Sequence, residues 1–282
     1  MNRRLLVSDL DGTLLRPDGT LSARTIEVVN RYLAAGGLFT YATARSFTTA
    51  RHVTAPLSLT LPVITYAGAV TVDPRTGEAL PAQLLGPSVV REVLRRTRAS
   101  PEVEPIFFVM HDGRDRVCWR EGRRTQGVES FLAARPDDPR LMPVPDWSAL
   151  DQEAVFSVAV IAPPAALAPL AEPGIFDCHA VYSQDIYAPH LWWLELTSRE
   201  GTKAAALTRL TAEVAADELV CFGDSPNDLT MFAMADVSLA VGNAVPKVLA
   251  AATEVIGANT EDGVAEWIEA LARRDGLAGF GS

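Results

Sequence analysis

Cysteine is scarce in this chain: Cys118, Cys178 and Cys221 are odd in number, far apart and never paired as C-x-x-C. That excludes a disulfide framework and a cysteine zinc site, and leaves buried free thiols in a reducing compartment as the expectation. Histidine is equally unhelpful, since His52, His111, His179 and His190 show no paired ligand spacing. Long apolar runs are missing. The segment Met1–Val7 carries two arginines and one apolar run of three residues, too short for a secretory signal. No stretch approaches the ~18 residues of a membrane span. A cytoplasmic protein without a membrane partner is expected. A basic excess is lacking too: the formal net charge is -10, which argues against a nucleic-acid partner. The small clusters Arg95, Arg96, Arg98 and Arg120, Arg123, Arg124 read as solvated faces. Neither G-x-G-x-x-G nor G-x-x-x-x-G-K-[ST] occurs, so nucleotide binding by those loops is unsupported.

What is present is an ordinary globular mixture, 48% apolar and 21% charged, over 282 residues. That length suits one large or two modest domains. Residues 4–10 read as a buried strand ending at Asp9. Ser22 caps a helix to about Ala35, with Ile26, Val29 and Leu33 on one face and Gly36-Gly37 stopping it. Residues 38–42 and 62–66 read as further strands, each running into a polar or glycine-bearing turn. Strand and helix alternate as in a parallel, doubly wound sheet.

The rhythm changes after about residue 80. A helix at 89–98, a hairpin of 106–110 and 116–120 around His111-Asp112-Gly113, and strands at 155–161 and 191–197 indicate a mixed α+β insert. A helix at 165–170 sits among them. One ring of the Trp192-Trp193 pair is expected in that insert's core. From Thr202 the parallel rhythm resumes with helix 203–215, strand 219–222, helix 229–235, strand 238–241 and helix 246–252. A terminal helix at 263–273 and a loose tail, 275–282, end the chain. The expected fold is α/β: a doubly wound Rossmann-like parallel-sheet core (1–82 and 198–282) with an inserted α+β cap domain (83–197).

The strongest local signal is Asp9-Leu10-Asp11-Gly12-Thr13 at the carboxyl end of the first strand. Ligand sites of open α/β sheets gather there. Two carboxylates two residues apart can divide labour as nucleophile and acid/base, and Gly12 lets the chain bend and present N–H groups to an anion. Alone, the pair Asp11-Gly12 also reads as an Asx turn. The second signal, Gly223-Asp224-Ser225-Pro226-Asn227-Asp228, again follows a strand. Asp224 and Asp228 there can join Asp9 around a hard cation such as magnesium, or merely cap a helix. Thr43 at the end of the second strand offers a hydroxyl to phosphate, and Lys203 at the start of a helix offers a cation. Each is bland in isolation.

In this order the motifs resemble the haloacid dehalogenase (HAD) superfamily of phosphohydrolases, in its Cof-type branch with an α/β cap. The resemblance rests on Asp9-Leu10-Asp11-Gly12-Thr13-Leu14, Thr43, Lys203, Gly223-Asp224-x-x-Asn227-Asp228, Ala240-Val241-Gly242-Asn243-Ala244 and Asp262-Gly263-Val264. It implies a magnesium-dependent phosphatase that hydrolyses small phosphate monoesters, sugar phosphates or similar metabolites. Asp9 is then the nucleophile that becomes an aspartyl-phosphate, and Asp11 the acid and base. Leu10, Gly12, Thr43, Lys203 and Asn227 surround the phosphate, Arg45 meets a distal anionic group of the substrate, and Asp9, Asp11, Asp224 and Asp228 serve Mg2+. The branch commonly has Thr-Gly-Arg and Asn-Gly-Ala where this chain has Thr43-Ala44-Arg45 and Ala67-Gly68-Ala69. A phosphomutase of the same superfamily and a non-catalytic phosphate-ligand binder are the rival readings. The Asp11 acid speaks against the second, since a mere binder has no need of it. The identity of the substrate and the oligomeric state are left open.

Overall fold

Strand β1 (Arg4–Ser8) has an apolar centre, with Leu5, Leu6 and Val7 fully buried. A strand covered on both faces reads as a run rather than an alternation, as in parallel sheets between helices. The computed structural model describes residues 3–150, 154–185 and 188–281 and has that architecture. After β1 come α1 (Ala23–Ala34), β2 (Leu38–Tyr41), α2 (Phe47–Thr54), β3 (Val63–Thr65) and β4 (Val70–Val72). The chain then forms α3 (Pro87–Thr97), β5 (Pro105–His111), β6 (Arg114–Arg120), α4 (Gln126–Ala133) and β7 (Leu141–Val144). Next are β8 (Ala154–Ala162), α5 (Pro164–Ala171), β9 (His179–Gln184) and β10 (Trp192–Thr197). It ends with α6 (Lys203–Glu213), β11 (Glu218–Gly223), α7 (Leu229–Phe232), β12 (Val237–Val241), α8 (Pro246–Ala251), β13 (Glu254–Ile256) and α9 (Gly263–Arg274). Two units result, Met1–Leu80 with Thr202–Ser282, and Pro81–Gly201.

The first unit is a five-stranded parallel sheet in the order β13-β12-β11-β1-β2. Its register sets Ser8 beside both Tyr41 and Phe222. The residues that follow those three, at the carboxyl ends of β1, β2 and β11, therefore emerge side by side. Helix α1 packs on α9, and the Trp267 ring of α9 meets Phe222 of β11 edge-on at 5.4 Å. The second unit is a six-stranded sheet, β7-β6-β5-β8-β10-β9, antiparallel except where β6 meets β7. Its β5–β6 hairpin turns through Asp112 and Gly113 at φ 50° and 71°, the primed turn that matches strand twist. One sheet face, with Phe107, Val158, Val160 and Leu194, is packed by α3 and α5. The other, with Ile106, Val117 and Ile161, is packed by Val128 and Phe131 of α4. Among the described residues no helix is long and apolar enough to cross a membrane.

Several local expectations are corrected. The strand near 62–66 does not extend the parallel sheet. It touches β2's continuation at a single bridge, Ala42 to Ile64, and otherwise pairs with β4 in a hairpin. Helix α1 buries Thr25, Val28, Val29 and Tyr32, one residue round from the expected stripe, because the large Tyr32 ring fills the space that Gly37 leaves open. The tail is not loose through Phe280, which is buried under the Arg31 guanidinium at 4.1 Å; Ser282 lies outside the described residues. Arg120 and Arg123 are not merely solvated, since both pair with the buried Glu104. Helix α7 stops at Phe232 rather than 235. Elements β4, α4, β7, β9 and β13 are not among the expected ones. Pro143 disguises β7, and β9 is exposed at every position, so neither carries the usual pattern. The two tryptophans divide: Trp192 packs against the α3/α5 side and Trp193 against Phe131.

Candidate active site

Asp9 follows β1 directly, and its N–H is tied to Phe222 O at 3.0 Å. The chain then makes a wide turn, Leu10–Leu14, with Asp11 extended and Gly12 at φ 79°. Gly12 is needed twice over. A side chain there would be strained, and its Cβ would collide with the Asp224 carboxylate. The close approach lets Thr13 Oγ1 donate to Asp224 Oδ1 at 2.8 Å, which joins the loops after β1 and β11.

Lys203 is the electrostatic centre. It opens α6 behind the N-cap Thr202, and its side chain is almost fully buried. Its Nζ donates to Asp9 Oδ1 at 2.6 Å and to Asp228 Oδ1 at 2.8 Å. The helix start is placed by Gly68, at φ 111°, which sits so close to Thr202 that any Cβ would overlap the Thr202 carbonyl. Burial alone would pull the Lys203 pKa down, but the two carboxylates outweigh it and the pKa is raised. Burial pushes Asp9 up to about 7, against the lowering pull of Lys203 and with added repulsion from Asp228 and Asp224. Asp224 is raised as well, first by burial, although Thr13 opposes the shift.

The three carboxylates Asp9, Asp224 and Asp228 each offer an oxygen within 4.8 Å of the others. Lys203 supplies one positive charge against three negative ones, so the cluster has room for a further cation. Its donor set is all carboxylate oxygen, which suits a hard divalent ion. The donors are not equal. Asp228 is fully buried, with Oδ1 on Lys203 and Oδ2 accepting from the Asp224 and Ser225 N–H groups at 3.0 and 3.1 Å. It holds the lysine and the loop, and leaves Asp9 and Asp224 with the freer oxygens.

The remaining expected residues fall in several places. The Asp11 carboxylate stands apart from the three and is gripped by Arg45 through both oxygens, at 2.7 and 2.5 Å. Thr43 is buried at the end of the second strand, and its Oγ1 accepts from the Arg45 N–H at 3.1 Å. Leu10 is buried in the turn beside Gly12. Asn227 is exposed and its amide oxygen accepts from Ser225 Oγ at 2.6 Å, so it does not join the buried cluster. Sequence reasoning gave no role to Asn243 and Asn259. Asn243 Nδ2 donates to Gly12 O at 2.8 Å, and Asn259 braces Asn243 Oδ1 and Leu15 O. The signal for Asn243 was the short motif after β12, already visible but without an assigned contact.

A family profile described as haloacid dehalogenase-like hydrolase matches residues 6–268. The chain belongs to that family. This haloacid dehalogenase-like hydrolase is an enzyme of the phosphatase type. It is 26% identical to the 5-amino-6-(5-phospho-D-ribitylamino)uracil phosphatase YitU of Bacillus subtilis, over 94% of this chain and 96% of that one. It is 29% identical to the HMP-PP phosphatase of Cronobacter sakazakii, over 94% of each. A solved structure from Thermotoga maritima matches with a TM-score of 0.78 at 23% identity, covering 96% of this chain and 97% of that one, which shows the shared fold.

Proposed function

We propose that this hydrolase removes phosphate from small metabolite monoesters with magnesium as cofactor, through an aspartyl-phosphate on Asp9. The observation that carries the reading is the buried Lys203 ammonium between Asp9 and Asp228, with Asp224 beside them and Asp11 two residues on. Asp9 and Asp224, with Asp228 beside them, would hold the magnesium ion, which would supply the positive charge that keeps nucleophile and phosphate from repelling.

The chain's own groups do the rest. An Asp9 carboxylate oxygen attacks phosphorus as the bond from phosphorus to the ester oxygen breaks. Asp11 gives its proton to the departing alcohol, then takes one from the water that attacks the phosphoenzyme. Inorganic phosphate leaves and Asp9 is restored. Lys203 fixes the Asp9 oxygen and faces the developing negative charge. Thr43 and the N–H groups of Leu10 and Gly12 receive phosphate oxygens, with Asn227 at the rim. Arg45 keeps the Asp11 carboxylate placed and is available to an anionic group of the substrate.

The relatives are named for small phosphorylated metabolites, which supports a substrate of that class, with sugar phosphates the first choice. We assign substrate selection to the inserted unit. Cys118, Cys178 and Cys221 are buried and form no disulfide among the described residues, which supports a reducing, cytoplasmic setting. The test is a panel of sugar phosphates, nucleoside monophosphates, cofactor phosphates and a phosphopeptide, read as free phosphate with magnesium and with excess chelator. Small esters should dominate and chelator should abolish turnover. A phosphopeptide preferred tenfold, isomer formed without free phosphate, or full rate in chelator would overturn the proposal.

A further inference from the structure

The edges of the two sheets are not alike. In the first unit, β13 is three residues long, and in the second β7 has four residues and carries Pro143. Short strands and proline are the usual ways of blunting an edge. The opposite edge of the second sheet is β9, six residues with sequence His-Ala-Val-Tyr-Ser-Gln, exposed at every position. It has no proline, no acidic residue and no lysine or arginine. Val181 and Tyr182 are among the exposed large apolar side chains of the molecule.

The register tells which backbone groups face outward. Strand β9 pairs with β10 antiparallel, Gln184 opposite Trp192 and His179 opposite Thr197. One step further along the same ladder, Asp185 N–H donates to Leu191 O at 3.0 Å. In an antiparallel ladder the bonded pairs alternate with unbonded ones. Ser183, Val181 and His179 therefore turn their N–H and C=O groups toward β10. Ala180, Tyr182 and Gln184 turn theirs away, to an edge on which no described residue is seated.

We infer that β9 is a self-association edge, and that its partner is β9 of a second copy of this chain, paired antiparallel about a two-fold axis at Tyr182. The sequence is self-complementary in that register. Ala180 falls opposite Gln184 of the copy, and Tyr182 opposite its own counterpart, so all three outward residues exchange hydrogen bonds. The two tyrosine rings meet directly across the axis, beside the Trp192 ring that already lies 4.7 Å from Tyr182. On the other face Val181 meets Ser183, and each His179 falls opposite Asp185 of the copy, whose carboxylate already accepts from Trp193 Nε1 at 2.7 Å and the Ala188 N–H at 2.9 Å. No like charges are brought together within the strand pair, although the formal charge of -10 on each chain opposes association at low salt. The pairing is isologous and closes as a dimer rather than running on as a fibre. A single strand pair buries less than the roughly 1,200 Å² of a stable interface, so the dimer forms at high protein concentration.

Sedimentation equilibrium of the full chain from roughly 1 to 200 µM reads the claim, because mass must rise with concentration for a weak dimer. The wild type should shift from monomer toward dimer, and Tyr182→Lys should remain monomeric with phosphate release unchanged. A second measurement does not depend on how that variant folds. Mild oxidation of Tyr182→Cys should give a disulfide-linked dimer through position 182, while Val181→Cys, whose side chain lies on the other face and opposite Ser183 of the copy, should link at least tenfold less. A wild-type monomer at every concentration, or equal linking by both cysteine variants, would overturn the inference. Unchanged catalysis alongside either failure would leave the proposed reaction standing.

Discussion

Lys203 Nζ lies 2.6 Å from Asp9 Oδ1, although the two residues are 194 positions apart in the chain. The contact exists because the β11–β1 register brings Asp9 to one end of the sheet, and the tight approach of Gly68 to Thr202 places the start of α6. A buried ammonium serving two carboxylates is a poor device for stability, since desolvation offsets most of the attraction. Under the proposed reaction it prepares the site for an anion and a cation, with Lys203 keeping one Asp9 oxygen aimed while the other reacts.

Removing that ammonium strands Asp9 and Asp228 together. Lys203→Met should lose about 3–5 kcal/mol of stability in urea unfolding, the usual cost of breaking one side of a buried pair. Adding Asp228→Asn should restore part of the stability and none of the phosphate release. If the single variant were as stable as wild type, the charge pairing described for Lys203 would be wrong.

The raised Asp9 carboxyl has a consequence for pH. Its folded pKa is about 7 without metal, whereas an unfolded aspartate titrates near ~3.9. Between those values the folded state holds a proton that the unfolded chain has released. Its contribution therefore favours folding fully below pH ~4 and is lost as pH rises through about 7. In chelator, the stability of wild type minus that of Asp9→Asn should fall across this window. Magnesium added near pH 6 should release protons, readable by calorimetry in two buffers of different ionisation heat. A difference that grew with pH would contradict the assignment.

Ala67 occupies the left-handed region at φ 53°, next to Tyr66 at φ 50°. A side chain with Cβ is strained there, and the backbone N–H of Ala67 donates to Thr43 O at 2.9 Å, a bond that glycine keeps. Ala67→Gly should raise stability by about 0.5–1 kcal/mol and the thermal midpoint by about 1–3 °C, with turnover within twofold. A lowered midpoint would show that the backbone relaxes around alanine.

Much of this was legible in the sequence, and for identifiable reasons. The strands of the parallel sheet are buried runs that end in functional turns, so Asp9, Thr43 and Asp224 were visible at once as strand-end residues. Lys203 was visible only through its place in the order of motifs, because a lone lysine at a helix start looks solvated. What the sequence hid were side chains working on other side chains. Asp228 reads as a metal ligand from its spacing and does offer an oxygen to the carboxylate cluster, but the sequence did not show that it also holds Lys203 and two backbone N–H groups. Arg45 reads as a substrate group, yet it closes on Asp11. Strand β9 escaped because its exposure removes the apolar alternation by which strands are recognised.

The central claim is that Asp9 is the nucleophile, and trapping the phosphoenzyme tests it most directly. The Asp11→Asn variant lacks the acid of the first step and the base of the second, so with magnesium and an aryl phosphate, whose leaving group departs unprotonated, it should accumulate an acid-stable phosphoryl group. Borohydride reduction and peptide mass mapping should then place the modification on Asp9, with none in excess chelator or in an Asp9→Asn, Asp11→Asn double variant. Label on any other residue, or brisk turnover by Asp9→Asn at unchanged stability, would contradict the account.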